Sequence, residues 1–168
     1  MPIKHSKSLD KQRRDVRLFM ERSAPRIVGV EAKKHIASNF KQEGFVDLPF
    51  KKWVDRKKNE KTRRAILVKS GRLKNSFHYR AISKGVRVYS ADVPYAEAHN
   101  NGATIKGTQR VRSHRRTSRK TGEKYKVEAF TREMDHKIPQ RKFIGNSKVL
   151  DYRINKKLAR KISIIMNK

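Results

Sequence analysis

Six histidines, 15 carboxylates and 45 lysines or arginines are the side chains that could do chemistry here, and their spacing decides which kind. Metal ligation from a helix needs ligands on one face, for example at i and i+4. Glu97 and His99 are two apart and fall on different faces, and no HExxH occurs. His78, His99, His114 and His136 are therefore expected to be surface or hydrogen-bonded residues. The chain has no cysteine, which removes disulfides, thiol catalysis and cysteine-containing zinc sites. There is no GxxxxGK[ST] loop to cradle a phosphate and no GxSxG elbow to expose a nucleophile. The acids are scattered among three times as many cations, so no general acid–base pair stands out, and ion pairing is their expected use. A nuclease is the enzyme class such a basic surface would suit best, with Asp92 and Glu97 as acids to hold a metal. No carboxylate cluster supports it. The expectation is a protein that is not an enzyme and has neither cofactor nor metal.

The chemistry that remains is charge itself. A formal charge of +30 and a pI near 11.0 make the surface self-repelling unless a polyanion or an acidic partner lies close. Two runs concentrate it. Lys51 to Arg64 holds eight basic and two acidic residues with too few apolar positions to bury a face, so it is expected in solvent or ordered only on a partner. Lys106 to Lys126 holds nine Lys or Arg and one acid, and Thr117 to Gly122 reads as its tip. Arg110, Arg112, Arg115, Arg116, Arg119 and Lys120 are the candidate contacts to phosphates or to acidic side chains.

Elements must position that second run. Thr104 to Val111 and Tyr125 to Phe130 flank it with sparse strand-like apolar residues, which predicts a long basic β-hairpin over residues 103–133. Tyr125 and Phe130 could stack on bases, but at hairpin spacing they are expected in the core. Before it, Phe77 to Ile82 and Val86 to Ser90 alternate as strands around a Ser83-Lys84-Gly85 turn, with Gly85 supplying a positive φ. Ser70 is expected to cap a helical turn that points Leu73 inward. Tyr95 to His99 suits one or two helical turns closed by Asn100-Asn101-Gly102.

Helices occupy the ends. Ser8 to Arg22 reads as a charged helix, broken at Ser23-Ala24-Pro25, with Ser23 capping a second helix. There Val28, Ala32, Ile36 and Phe40 form a stripe, and Gly44 is expected to end it in a left-handed cap. Trp53, the only tryptophan, is expected in packing. Pro139 forces Ile138 into extended backbone, Phe143-Ile144-Gly145 reads as a buried anchor, and a last helix from Asn146 or Ser147 carries the stripe Leu150, Ile154, Leu158, Ile162 and Ile165. The fold class is α+β: N-terminal and C-terminal helices packed on one face of a mainly antiparallel sheet built from residues 76–90 and the basic hairpin. One domain over 1–168 is expected, with residues 1–7 flexible. No apolar run resembles a signal peptide or a membrane span, so a soluble, cytoplasmically made protein is expected.

Four fragments, in order, resemble the Mu-like phage virion morphogenesis or tail completion proteins: Trp53, then ILVKSGRLKNSF (Ile66 to Phe77), PYAEAHNNG (Pro94 to Gly102) and IPQRKFIGNS (Ile138 to Ser147). The chain departs from the pattern at Asn101-Gly102, where many members carry two glycines, and at Lys69-Ser70, commonly Asp-Thr. The basic insert between Gly102 and Ile138 is variable in such proteins. The resemblance implies a structural virion protein of the neck or head-proximal tail, ring-forming and active in head–tail joining. Its partners would be further copies, neighbouring neck, connector or tail proteins, and DNA without sequence preference, with no membrane. It would sit in the virion and, during assembly, in the host cytoplasm. It gives the motif residues structural parts: Gly71 and Gly102 in turns, Leu73, Tyr95 and Phe143 in packing, Ser76 and His99 in hydrogen bonds across joints, with Trp53 and Pro139 as fixed points. The competing reading from charge alone is a non-viral nucleic-acid binder of the ribosome-associated type.

Overall fold

The computed structural model describes residues 4–56, 64–83 and 85–167. Lys84 of the expected turn, most of the basic run after Arg56, and the first three residues lie outside the described residues.

Helix α1 (Lys4–Leu18) does not break before helix α2 (Ala24–Gln42). A π-helical turn over Phe19–Ser23 joins them, and Ser23 stays helical at φ −98°, ψ −37° with its side chain capping nothing. The correction has a physical cause. Pro25 has no N–H to give, and the wider turn, in which the Ala24 N–H reaches back to the Phe19 carbonyl, absorbs that loss without ending the helix.

α2 is the central element. Ala32, Ile36 and Phe40 of its stripe are buried and Val28 is half-buried, but Glu31, His35 and Asn39 are buried as well. Its left-handed end falls one residue earlier than expected, on Glu43 at φ 50°. Gly44 opens strand β1 (Gly44–Phe45) instead, pressed so closely by the facing strand β2 (Lys51–Lys52) that a Cβ there would lie 2.8 Å from the Lys51 carbonyl oxygen.

Trp53 enters the core and donates its indole N–H to the Lys142 carbonyl at 2.7 Å. Helix α3 (Arg72–Asn75) begins at Gly71, φ 76°, rather than at Ser70, whose hydroxyl still accepts the Arg72 N–H at 3.4 Å. Strands β3 (Phe77–Ile82) and β4 (Gly85–Ser90) pair antiparallel from Phe77 opposite Ser90 to Ile82 opposite Gly85. Phe40 binds this layer together. Its ring centroid lies 5.4 Å from Trp53, 5.4 Å from Phe143 and 6.0 Å from Phe77, distances at which aromatic rings attract.

The rest of the chain is helix α4 (Ala96–Asn101), strands β5 (Ala103–Val111), β6 (His114–Thr117), β7 (Lys124–Val127) and β8 (Phe130–Ile138), and helix α5 (Lys148–Met166). Ser147 caps α5 by accepting the Leu150 N–H at 3.3 Å while donating to the Val46 carbonyl at 3.0 Å. Asp47 accepts the Lys148 N–H at 2.9 Å, and its backbone and cap hydrogen bonds hold its carboxyl below the usual range. Lys157 reaches buried Glu31 of α2 at 2.5 Å. The α5 stripe is only half-buried, because α5 lies on α1 and α2 rather than on strands.

The fold is α+β. Among the described residues, however, the antiparallel pairing forms four separate two-stranded sheets, β1–β2, β3–β4, β5–β8 and β6–β7, not the one sheet expected. α2 covers β3–β4. The chain cannot extend that sheet after Ser90, because α4 intervenes and Gly102, at φ 77°, sends it off in a new direction. A Cβ at Gly102 would meet the Gln140 backbone nitrogen at 3.2 Å, so the exit is tight as well as bent.

Candidate nucleic-acid interface

Beyond Gly102 the basic run forms a ribbon. β5 and β8 pair over nine positions, from Ala103 opposite Ile138 to Val111 opposite Phe130, and β6 and β7 continue it from His114 opposite Val127 to Thr117 opposite Lys124. Pairing thus continues past residue 133 to Ile138, where Pro139, lacking an N–H, ends it. The tip is held by its own polar atoms. Ser118 Oγ accepts the N–H groups of Lys120 at 3.3 Å and Thr121 at 3.2 Å, and Gly122 at φ 74° lets its N–H return to the Ser118 carbonyl at 3.0 Å.

Arg110, Arg112, Arg115, Arg116, Arg119 and Lys120 all lie on this ribbon and are all exposed. Among the described residues, none of the six forms an ion pair, whereas Lys126 reaches Glu128 at 2.8 Å. Their charge is uncompensated by ion pairs among the described residues. Tyr125 and Phe130 are exposed too, at 49 % and 44 %, which corrects the expectation that they are core. Among the described residues neither β7 nor β8 packs closely on any element but its paired strand, so those rings have no second layer to enter.

The motif residues gather elsewhere. Gly71, Leu73, Tyr95, His99, Gly102 and Pro139 line one cleft of about 1200 Å³ between the α3 segment, α4 and the root of the ribbon. Leu73 and Phe143 are buried, at 3 % and 1 %. Ser76 donates to the Leu73 carbonyl at 2.9 Å and shares a 2.6 Å hydrogen bond with Ser90, so it joins α3 to β4. Tyr95 does not pack inside. It is 41 % exposed, and its ring meets His99 edge-on at 5.9 Å, because it caps a short helix that has only the cleft beside it. His99 joins two segments through its backbone, its carbonyl accepting the Arg141 N–H at 2.8 Å, while its buried Nδ1 makes no hydrogen bond. Burial, and then the Arg141 charge, push that imidazole toward the neutral form.

Three polar residues that hold the body were not singled out from the sequence. Asn39 donates to the Phe143 carbonyl at 3.0 Å and accepts the Val46 N–H at 2.9 Å, and Asn100 accepts the N–H groups of Phe143 and Ile144, both at 2.9 Å. Arg141, only 9 % exposed, donates to the Val54 carbonyl at 3.0 Å. Asn39 follows Ile36 by three positions on the helix, and that spacing was the available signal.

No group of three or more potential metal ligands is found among the described residues, and no helix there is long and apolar enough to cross a membrane. The arrangement is an exposed cationic ribbon on a body whose polar residues tie backbone segments together. The chain belongs to the phage virion morphogenesis family, whose sequence model matches residues 7–163. Its role is accordingly a structural one in the assembly of a phage virion, with the virion as its place. No curated protein and no solved structure matches it.

Proposed function

We propose that copies of this chain form a ring at the neck or head-proximal end of the tail, completing the tail for joining to a filled head, with the ribbon tip toward the passage that DNA takes. The observation that carries this is the set of six exposed cations without ion pairs among the described residues. Spaced along strands and a turn, they suit contact with a row of phosphates, which positions DNA without reading its sequence. A contact of this kind holds DNA evenly and releases it with salt, by about 0.9 in log–log slope per phosphate neutralised. A head-to-tail contact that closes by rotation also gives a small basic subunit fixed neighbours.

The test is to replace Arg110, Arg112, Arg115, Arg116, Arg119 and Lys120 by glutamine in the full chain and in the phage. The expected subunit folds as before, binds duplex DNA with a smaller salt slope, and yields particles defective in joining or in retaining DNA. Unchanged particles, or tight binding to one sequence over others, would remove the reading. Docking of the same cations on an acidic rim of a neighbouring neck or tail protein would appear as lost joining with the DNA salt slope unaltered. The non-viral reading loses its ground with the family assignment.

A further inference from the structure

The β5–β8 register sorts the ribbon into two unlike faces. Paired residues of an antiparallel ladder share a face, and alternate pairs point to opposite faces. One face takes Thr104 and Lys137, Lys106 and Asp135, Thr108 and Glu133, Arg110 and Thr131, all exposed polar residues. The other takes Ala103 and Ile138, Ile105 and His136, Gly107 and Met134, Gln109 and Arg132, Val111 and Phe130, and is apolar but for exposed His136 and the Gln109–Arg132 pair. Ile105 is 46 % and Phe130 44 % exposed, so the chain's own body leaves this apolar face largely uncovered. A two-stranded ribbon is marginal in water unless a hydrophobic face packs on something. Its only full charge is a cation. Arg132 is clamped flat by Gln109, which accepts its Nε at 3.0 Å and Nη2 at 2.7 Å, leaving the guanidinium exposed.

One surface of the same chain is complementary. From Val88 to Ile105 there is no lysine or arginine, the longest such run in the sequence, and it contains Asp92 and Glu97. Both are exposed, and among the described residues neither forms an ion pair. Exposed Pro94 and Tyr95 lie between them. The acids of the next-longest run without lysine or arginine, Gln42 to Phe50, are already hydrogen-bonded, since Glu43 accepts the Ile66 N–H and Asp47 caps α5. We infer that the apolar face of the β5–β8 ribbon seats on the Asp92–Glu97 surface of a second copy of this chain, Arg132 meeting those carboxylates. This rests on the ring reading and deepens it. Two different patches on each subunit make the contact head-to-tail, the kind that generates rings. It also leaves the cationic tip beyond Val111 free, so one ribbon serves the neighbour with its shaft and DNA with its end.

The experiment is sedimentation of the full chain after nuclease treatment, so that nucleic acid cannot bridge copies. Wild type is expected to self-associate. I105S/F130S, D92N/E97K and R132E are each expected to weaken association at least about tenfold while keeping the wild-type far-ultraviolet circular dichroism, since every site is exposed. Asn is used at residue 92 because Asp92 sits at φ 54°. Mixing R132E with D92N/E97K restores a contact of reversed sign and is expected to recover association that neither shows alone. If the wild type assembles and all three variants assemble equally, this contact is wrong and the ring stands. If the wild type stays monomeric at every attainable concentration, both fall.

Discussion

Phe130 and Phe143 are close in sequence and opposite in circumstance. Phe143 is 1 % exposed, with ring centroids of Phe40 and Phe77 at 5.4 and 5.5 Å, and its backbone N–H and carbonyl are held by Asn100 and Asn39. Phe130 is 44 % exposed at the end of a ladder with no layer behind it. The difference shows that the molecule is stabilised around α2 and spends its cations where nothing internal depends on them. If that division is right, the largest effect should come from the body. Phe143→Ala should cost about 3–5 kcal/mol, enough to unfold a marginal domain, whereas Phe130→Ala should stay within about 0.5 kcal/mol. Urea unfolding of the two variants checks this, and comparable losses would erase the distinction.

A finer cut tests how tightly the body is packed. A Cβ at Gly29 of α2 would lie 2.1 Å from Cδ2 and 2.4 Å from Cγ of Tyr79 on β3, so the helix meets the strand where only glycine fits. Gly29→Ala gains about 1 kcal/mol of helix propensity, against an overpacking cost of about 1–3 kcal/mol. Net destabilisation of about 1 kcal/mol is expected. Combining it with Tyr79→Ala should relieve the clash, so the double mutant should be more stable than the sum of the singles, as read in a double-mutant cycle.

These two regions were unequally legible. The strands Phe77–Ile82 and Gly85–Ser90, the buried Leu73 and Phe143, and a helix capped by Ser147 follow from alternation, a stripe and a cap residue, all of them local signals. The unbroken α1–α2 helix was not legible, because Ser-Ala-Pro is also how a helix starts and only the π-helical turn tells the cases apart. The candidate site was legible as charge but not as faces. The sequence predicts the hairpin only to residue 133, and without Met134, His136 and Ile138 paired to β5 the apolar side of the ribbon does not appear. Separate ribbons in place of one sheet depend on which strands meet, and periodicity does not carry that information.

The body should also be the part that responds to acid. His35 is 2 % exposed, makes no hydrogen bond through either ring nitrogen, and lies edge-on to Phe45 at 5.7 Å. Burial first, and then the charge of Arg153, push its pKa below the ordinary 6.5 against the opposing pull of Asp47 and Asp151. The unfolded chain then binds a proton that the folded chain refuses. Stability from this residue is complete above about pH 6.5 and is lost as pH falls from there through the lowered folded-state value. Glu31, held low by Lys157, contributes above its ordinary 4.5 and fades below that, in a separate and more acidic window. His35→Leu should reduce the first decline, to which His99 also contributes, and leave the second, in unfolding free energies measured across pH.

The smallest effect should come from the ribbon, and its sign carries the information. Glutamine at Arg110, Arg112, Arg115, Arg116, Arg119 and Lys120 removes charges that have no acidic partner among the described residues. No ion pair is lost and like-charge repulsion is relieved, so unfolding free energy should change by no more than about 0.5 kcal/mol, upward if at all. Repulsion is screened by salt, so the wild type should gain stability between low and moderate ionic strength while the neutralised chain gains less. Urea midpoints at the two salt levels give both numbers. A loss of stability on neutralisation would mean that these cations are held by the chain's own acids, and the ribbon would then belong to the body rather than to a partner.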